Sequence, residues 1–173
     1  LTYARQRIQG RDLADFANHA APSVPIIRHP DVRRNLLWMK AITEGLRSLI
    51  YFISRCMDVS SHAQAEEERQ AAAGLVDLFT PIIKGYGADR AYEVCVQAMQ
   101  VYGGAGYIQD YPVEAITRDC KIASIYEGCT GIQAMDLLGR KIGQNKGAVF
   151  MAFMQQVQKT VARARQAEEL APL

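Results

Sequence analysis

Apolar residues along most of this chain recur at intervals of three and four, the spacing that places them on one face of an α-helix. The clearest run begins after Pro30-Asp31, a pair typical of a helix start, and ends near Ser60-Ser61. The pattern predicts one long helix with an apolar face toward a core. The apolar positions on that face are Met39, Ile42, Leu46, Leu49, Ile53 and Met57.

The same periodicity predicts helices on both sides of this one. Residues 1 to about 18 are expected to form a shorter first helix, followed by a proline-containing loop at 21–25. A helical stretch should cover about 66–102, with a kink or break at Pro81, because proline lacks the backbone donor and clashes with the preceding turn. A short helix should open at Pro112 and another long one near Thr130, interrupted at 143–147 before a final amphipathic stretch.

We find no convincing strand pattern and no internal repeat in the sequence. The fold class expected is therefore all-α, an antiparallel up-and-down bundle of about four long helices. Residues 1–146 are assigned to the bundle and residues 147–173 to a helical extension.

Composition and charge narrow the function classes. The chain has 173 residues, 49% of them apolar, and a net charge of +2, which is typical of a globular domain and not of a disordered one. No block of Lys and Arg indicates a nucleic-acid or membrane partner, and no apolar run approaches the roughly 20 residues of a membrane span. The four cysteines show no C-x-x-C pair, so we expect free thiols, a cytoplasmic location and no metal site.

Glu127 is the only charged residue between Lys121 and Asp136, and most of its chain neighbours are apolar. A carboxylate that is buried without a cation binds its proton more tightly, as a general base working near neutral pH requires. Gly128 permits a sharp backbone path into the following helix. The residues alone leave a bland alternative open, in which Glu127 is an acidic side chain favoured at a helix start.

A wider pattern surrounds Glu127 and extends to the start of the chain. The sequence from Gln100 to Tyr107 reads QVYGGAGY and is followed by YPVE, RDCKI, IYEG and GIQ, the last ending at Gln133. Near the start, residues 3–10 read YARQRIQG. Together these motifs closely resemble the carboxy-terminal region of the acyl-CoA dehydrogenases.

The resemblance implies roles for particular residues. Glu127 matches the base that removes the α-proton of an acyl-CoA thioester while a β-hydride passes to FAD, and electrons then go to an electron-transfer flavoprotein. Arg7 matches an Arg that contacts the flavin pyrophosphate across a subunit boundary. Gln100, Gly103 and Gly104 match positions near the adenosine-diphosphate part of FAD on a neighbouring subunit, so a homodimer or homotetramer is expected. Tyr126 and Gly128 match positions that flank the acyl pocket.

The chain departs from the family pattern at several positions. The Phe that follows the first glutamine motif in the family is missing after Gln9. At two cofactor-facing positions, Cys129 stands in place of a Thr and Gly131 in place of a Gln. The loop at about 18–30 is longer than in the short-chain-type enzymes of the family. These departures favour a longer subgroup that includes enzymes acting on methylthiopropionyl-CoA, in which residues 147–173 would begin a further domain.

The amino-terminal and middle β-domains of such an enzyme have no counterpart in this sequence, which does not begin with Met. We therefore expect a part of a longer enzyme that is inactive and binds FAD poorly by itself. The alternative is a non-catalytic helical module that serves oligomerisation or interaction. Two other features do not indicate a further site. The GGAG run follows a helix and not a strand, which argues against a mononucleotide site. His19, His29 and His62 lack metal-ligand spacing, so they are expected on the surface or in loops.

Overall fold

The computed structural model describes residues 1–167. Its contacts divide the chain into two units, which are described separately: unit 1 contains residues 1–48 and 87–126, and unit 2 contains residues 49–86 and those from Glu127 onward. The helical fold class is confirmed. Within the described part of the chain, no helix has the length and hydropathy of a membrane span.

Seven α-helices account for most of the described residues, and most begin where the sequence predicts. Pro30 opens the longest helix, and a helix begins at Glu66 and another at Thr130, as expected. Pro112 is the N-cap of the short helix predicted there. The helices are α1 Thr2–Gln6, α2 Pro30–His62, α3 Glu66–Ile82, α4 Ala88–Tyr102, α5 Val113–Lys121, α6 Thr130–Asp136 and α7 Ala148–Ala164.

The prediction of one helix over residues 1 to about 18 is wrong, and so is the expectation that the chain has no strand. After α1 the chain extends into strand β1, Ile8–Arg11, which pairs antiparallel with β2, Ser23–Pro25. Gly10 takes a φ of +73°, which a right-handed helix does not allow. The Asp12 carboxylate then accepts a hydrogen bond from the Ala14 amide, which starts a 3-10 turn at Leu13–Asp15.

Pro81 ends the regular hydrogen-bond pattern without ending the helical path. α3 stops at Ile82, a π-helical turn covers Ile83–Gly87, and α4 continues from Ala88. The expected disruption is therefore a change of hydrogen-bond register directly after the proline, and not a loop. A second π-turn, Leu137–Lys141, follows α6, which is shorter than the long helix predicted from Thr130.

The core of unit 1 joins α1 to the start of α2 and the end of α4. Its most buried residues are Ala4, which is fully buried, Ile26 and Val101. α4 and α5 form an antiparallel hairpin: the rings of Tyr102 and Tyr111 lie 5.4 Å apart at one end, and at the other Lys121 lies over the Tyr92 ring. On α5, Glu114 and Arg118 form an ion pair at 2.9 Å.

The core of unit 2 is centred on Phe79, whose ring meets Phe52 of α2 and Phe153 of α7 edge to face. α7 packs closely on α3, because a Cβ at Gly74 would lie 2.9 Å from a Val149 methyl group. Met57, predicted on the apolar face of α2, is 54% exposed. The buried face turns toward the neighbouring residue Cys56, one turn after Ile53.

The link between α6 and α7 contains the interruption predicted at 143–147. A 3-10 turn, Gln144–Gly147, includes Asn145 and Lys146 in the left-handed region, and Gly147 follows with a φ of +80°. Unit 2 includes α7 together with α3 and α6. The division of the chain into 1–146 and a separate extension stays a prediction, and its last residues, 168–173, lie outside the described residues.

Candidate functional site

Unit 1 contains a cavity of about 420 Å³ between the amino-terminal segment and the end of α4. Three of the residues to which the resemblance gives a cofactor role, Arg7, Gln100 and Gly103, line it. Gly104 is the next residue along and is exposed. The other lining residues are Tyr3, Gln9, Gly10, Ile26, His29, Val32, Val101 and Tyr102.

Aromatic contacts position Arg7 beside this cavity. The Tyr3 ring stacks on the Tyr102 ring with 4.1 Å between centroids, and the Tyr3 hydroxyl donates to the Tyr102 carbonyl oxygen at 3.2 Å. Arg7 ends α1 with extended torsions, and its carbonyl oxygen accepts a hydrogen bond from the Ile26 amide at 2.8 Å. Two elements therefore fix the backbone from which the arginine side chain projects.

The Arg7 side chain is available for an anion. Arg7 is exposed, and within residues 1–167 no carboxylate is paired with its guanidinium. The nearby residue Arg28 differs, because it forms an ion pair with Asp12 at 2.8 Å. A guanidinium presents a planar fork of donors that matches two phosphate oxygens, so Arg7 offers this cavity a donor group suited to a phosphate.

The glycines after α4 serve two different purposes. A Cβ at Gly106 would lie 2.7 Å from the Met99 carbonyl oxygen, so this glycine is required by packing against the helix end. A Cβ at Gly103 or Gly104 would meet open space. Gly103 also has a φ of +62°, which ends α4. The absence of side chains at 103 and 104 leaves room for a ligand to approach the backbone.

The sequence predicts a surface or loop position for His29, which lies in the short segment before α2 and also lines this cavity. Its ring nitrogen Nε2 lies 2.7 Å from the Gln9 carbonyl oxygen, and the Gly10 position lies against the same ring. The structure thus places His29 between β1 and the start of α2. The sequence carries no local signal for this, because residues 9 and 29 meet only through the pairing of β1 with β2.

Glu127 lies on a turn with a backbone conformation that is rare for residues with a side chain. Its φ is +54°, and Gly128 follows with a φ of +87°, so two consecutive residues are left-handed. Glu127 itself is exposed. The described part of this chain therefore does not bury the Glu127 carboxylate as a general base would require. Glu127 is not at the start of a helix either, because the N-cap of α6 is Cys129, two residues later.

The side chain of Gln133 holds this turn. Its Nε2 atom donates to the carbonyl oxygens of both Glu127 and Gly128, each at 3.3 Å. A Cβ at Gly128 would lie 2.6 Å from the same nitrogen. Gln133 ends the GIQ motif, and the sequence alone predicts no role for it.

The remaining predicted residues flank the turn along the chain. Tyr126 is 51% exposed and precedes Glu127. Cys129 is exposed and makes no side-chain cap to α6, a contact that a hydroxyl in its place is suited to make. Gly131 is exposed, with open space where a side chain would project. Glu127 and the Arg7 cavity belong to different units, so each is described by itself.

The described residues are mainly α-helical; unit 1 presents an arginine beside a cavity, and unit 2 presents a carboxylate on a left-handed turn. The chain belongs to the acyl-CoA dehydrogenase family: the family model described as "Acyl-CoA dehydrogenase, C-terminal domain" matches residues 6–142. The resemblance seen in the sequence is therefore confirmed.

Two relatives extend the match past residue 142. The broad-specificity linear acyl-CoA dehydrogenase FadE5 of Mycobacterium tuberculosis is 41% identical over 162 residues, which are 93% of this chain and 26% of that protein. The 3-methylmercaptopropionyl-CoA dehydrogenase of Ruegeria pomeroyi is 42% identical over 160 residues, 92% of this chain and 26% of that protein. This chain thus spans about a quarter of the length of these relatives.

A solved structure supports the fold. The apo form of Bd2924 covers 98% of this chain and 32% of its own chain with a TM-score of 0.74 and 21% sequence identity. At this identity the likeness shows the fold alone, and it includes nearly the whole chain.

Proposed function

We propose that this chain is the carboxy-terminal helical part of an FAD-dependent acyl-CoA dehydrogenase, with Glu127 as the base that removes the α-proton of the acyl-CoA. The observation that carries the proposal is the Glu127–Gly128 turn, which presents the one charged side chain between Lys121 and Asp136 in an exposed position within the region matched to the family. The reaction forms the α,β double bond of the thioester.

The reaction removes one proton and one hydride from the acyl group, and each has an acceptor. The Glu127 carboxylate takes the α-proton, the electron pair of that C–H bond becomes the new π bond, and the β-carbon releases a hydride. FAD, when bound, supplies the acceptor for this hydride at N5. Glu127 is exposed in this chain, so the proposed role requires the substrate and the rest of the enzyme to cover the carboxylate, which would make it a stronger base.

The Arg7 cavity supports the cofactor part of the proposal. Arg7 would hold the pyrophosphate of FAD, while Gln100, Gly103 and Gly104 would lie along its adenosine-diphosphate part. Cys129 and Gly131 occupy further positions that face the cofactor in the family. Tyr126 and Gly128 would flank the acyl group, which is consistent with the exposed ring of Tyr126.

The partners proposed are an electron-transfer flavoprotein as electron acceptor and further copies of the same subunit, in a homodimer or homotetramer in the cytoplasm. Apolar side chains on α6 and the following π-turn support assembly, because Ile132, Met135 and Leu138 are 51–70% exposed. The same exposed residues are what the alternative function, a non-catalytic oligomerisation module, would use.

Turnover by the full-length enzyme separates these functions. Glu127→Gln keeps the size of the side chain and removes the base, so acyl-CoA oxidation should fall by at least about a thousandfold with normal flavin content. Glu67→Gln, at an exposed position on α3, is the matched control and should be fully active. Turnover retained in Glu127→Gln would place the base elsewhere, and a full-length protein without flavin would favour the oligomerisation module.

A second pair of variants tests the cofactor assignment. Arg7→Gln should weaken FAD binding by about tenfold or more, because a charge-assisted contact to the pyrophosphate is lost. Arg5→Gln, two residues earlier and also exposed, should leave FAD binding unchanged. Equal losses in both variants would contradict a specific role for Arg7.

A further inference from the structure

We propose that Gln133 is a positioning residue for Glu127: its amide group holds the left-handed turn that aims the carboxylate. This inference rests on the proposed role of Glu127 as the base.

The geometry of the contact is suited to this task. The Gln133 Nε2 atom donates to two consecutive carbonyl oxygens, those of Glu127 and Gly128, at 3.3 Å each. Two consecutive carbonyl groups define two peptide planes, so both planes directly after the Glu127 Cα are restrained by one side chain. These contacts restrain the position of the Glu127 Cα relative to α6 and so narrow the directions open to its Cα–Cβ bond.

The turn requires such a restraint. The φ of +54° at Glu127 is disfavoured for a residue with a Cβ. Gly128, with a φ of +87°, could adopt many other backbone conformations because it has no side chain. A left-handed conformation of this kind persists only where surrounding contacts determine it. Gln133 supplies hydrogen bonds from the first turns of α6 to this point.

Two glycines form the space in which Gln133 lies. A Cβ at Gly128 would come within 2.6 Å of its Nε2 atom, and a Cβ at Gly85 would lie 3.4 Å from the Gln133 Cβ. Gly85 is buried in the π-turn that follows Pro81. The change of hydrogen-bond register after Pro81 therefore places a residue without a side chain against α6 at the level of Gln133.

The π-turn and the glutamine act together in this arrangement. They hold the base in place before the substrate binds, so less reorganisation is needed when the α-proton is transferred. An error in the aim of the carboxylate should slow proton removal without weakening the binding of the acyl-CoA.

The test uses the full-length flavin-loaded enzyme. Gln133→Met keeps the length of the side chain and removes both donors, and kcat should fall about tenfold with KM within about twofold of the parent value. The kinetic isotope effect with substrate deuterated at the α-carbon should rise, because proton removal limits the rate more. Gln158→Met, on an exposed face of α7, is the control and should change neither quantity.

A second substitution guards against loss of folding. Gln133→Glu keeps the shape of the side chain and stays polar, but it places a carboxylate oxygen against the two carbonyl oxygens, so its loss of kcat should be at least as large. An unchanged kcat in both variants would overturn the inference, as would a loss of flavin content and thermal stability in proportion to the loss of kcat. If Glu127→Gln retains turnover, the proposed function fails; if it is inactive while Gln133→Met is normal, only the positioning role fails.

Discussion

The Tyr3 ring stacks on the Tyr102 ring at 4.1 Å and 14° between their planes, and this contact joins the first helix of the chain to the end of α4. Arg7 lies one helical turn after Tyr3, and Gln100 lies two residues before Tyr102. The stack therefore helps to set the distance between Arg7 and Gln100, two of the polar residues that line the cavity of unit 1.

Truncation of Tyr3 should open this cavity. Tyr3→Ala should lower the free energy of unfolding by about 2 kcal/mol, since ring stacking and a partly buried aromatic surface are lost. Tyr3→Phe should cost at most about 1 kcal/mol, because it loses only the hydrogen bond to the Tyr102 carbonyl. Urea unfolding measures both values, and equal losses in the two variants would show that the stack contributes little.

Substitutions at Gly106 and Gly104 provide a matched comparison in the 3-10 turn after α4, Gly103–Tyr107. Gly106→Ala should destabilise the protein by about 1–3 kcal/mol, because its methyl group would overlap the Met99 carbonyl oxygen and the Tyr102 Cβ. Gly104→Ala meets open space and should leave the unfolding midpoint unchanged, while it weakens FAD binding by the full-length enzyme. The opposite order of stabilities would contradict the packing of the loop.

The sequence predicts the parts of the fold that depend on local signals. Pro30 at a first helical turn and the acidic start at Glu66 both mark real helix starts. The first segment fails because Gly10 and the partner strand at 23–25 decide its conformation, and that pairing joins residues far apart in the chain. The π-turn after Pro81 leaves no periodic signal, since its apolar residues continue a helical spacing.

The candidate site also has one part that the sequence predicts and another that depends on contacts between distant residues. A resemblance carried by Tyr3 to Gly10 and by Gln100 to Gln133 selects Arg7 and Glu127 as candidates, but it says nothing of how their side chains are held. The role of Gln133 depends on its contact with Gly85, about 50 residues earlier, and that of His29 on strand pairing. Contacts of this kind become visible only in the folded chain.

The ion pair of Lys141 and Asp77 should make stability depend on pH in the acid range. The Lys141 ammonium donates to Asp77, and this bond is the main cause that holds the Asp77 pKa below its ordinary value of 3.8. The unfolded chain therefore binds more protons near this pH, so the contribution is complete above 3.8 and is lost as pH falls through the lower pKa of the folded state. Asp77→Asn should flatten this decline in urea unfolding between about pH 2 and pH 6.

Removing the charge of Asp77 and removing that of Lys141 should cost different amounts of stability. Asp77→Asn leaves the Lys141 ammonium buried, and we expect a loss of about 1–2 kcal/mol, below the range for a fully buried pair because the Asp77 side chain is 39% exposed. Lys141→Met replaces a buried charge with an apolar chain of similar length and should cost less. A larger loss in Lys141→Met would contradict this assignment.

Replacing Glu127 with glycine should make the folded protein more stable. Glu127→Gly removes the Cβ that is disfavoured at a φ of +54°, so the free energy of unfolding should rise by about 1 kcal/mol while activity is lost. Lys146→Gly relieves a similar backbone conformation, at a φ of +58°, and should stabilise the protein without loss of activity. A destabilised Glu127→Gly variant would show that the side chain itself holds the turn.

The most direct test of the account is a single-turnover measurement on the full-length enzyme without oxygen. The parent and the Glu127→Gln variant, both loaded with FAD, are mixed with saturating acyl-CoA, and the loss of the oxidised-flavin absorbance is followed by stopped flow. The account predicts rapid bleaching in the parent and at least about a thousandfold slower bleaching in the variant, with equal binding of acyl-CoA. Bleaching at the parent rate in Glu127→Gln would show that another group removes the α-proton.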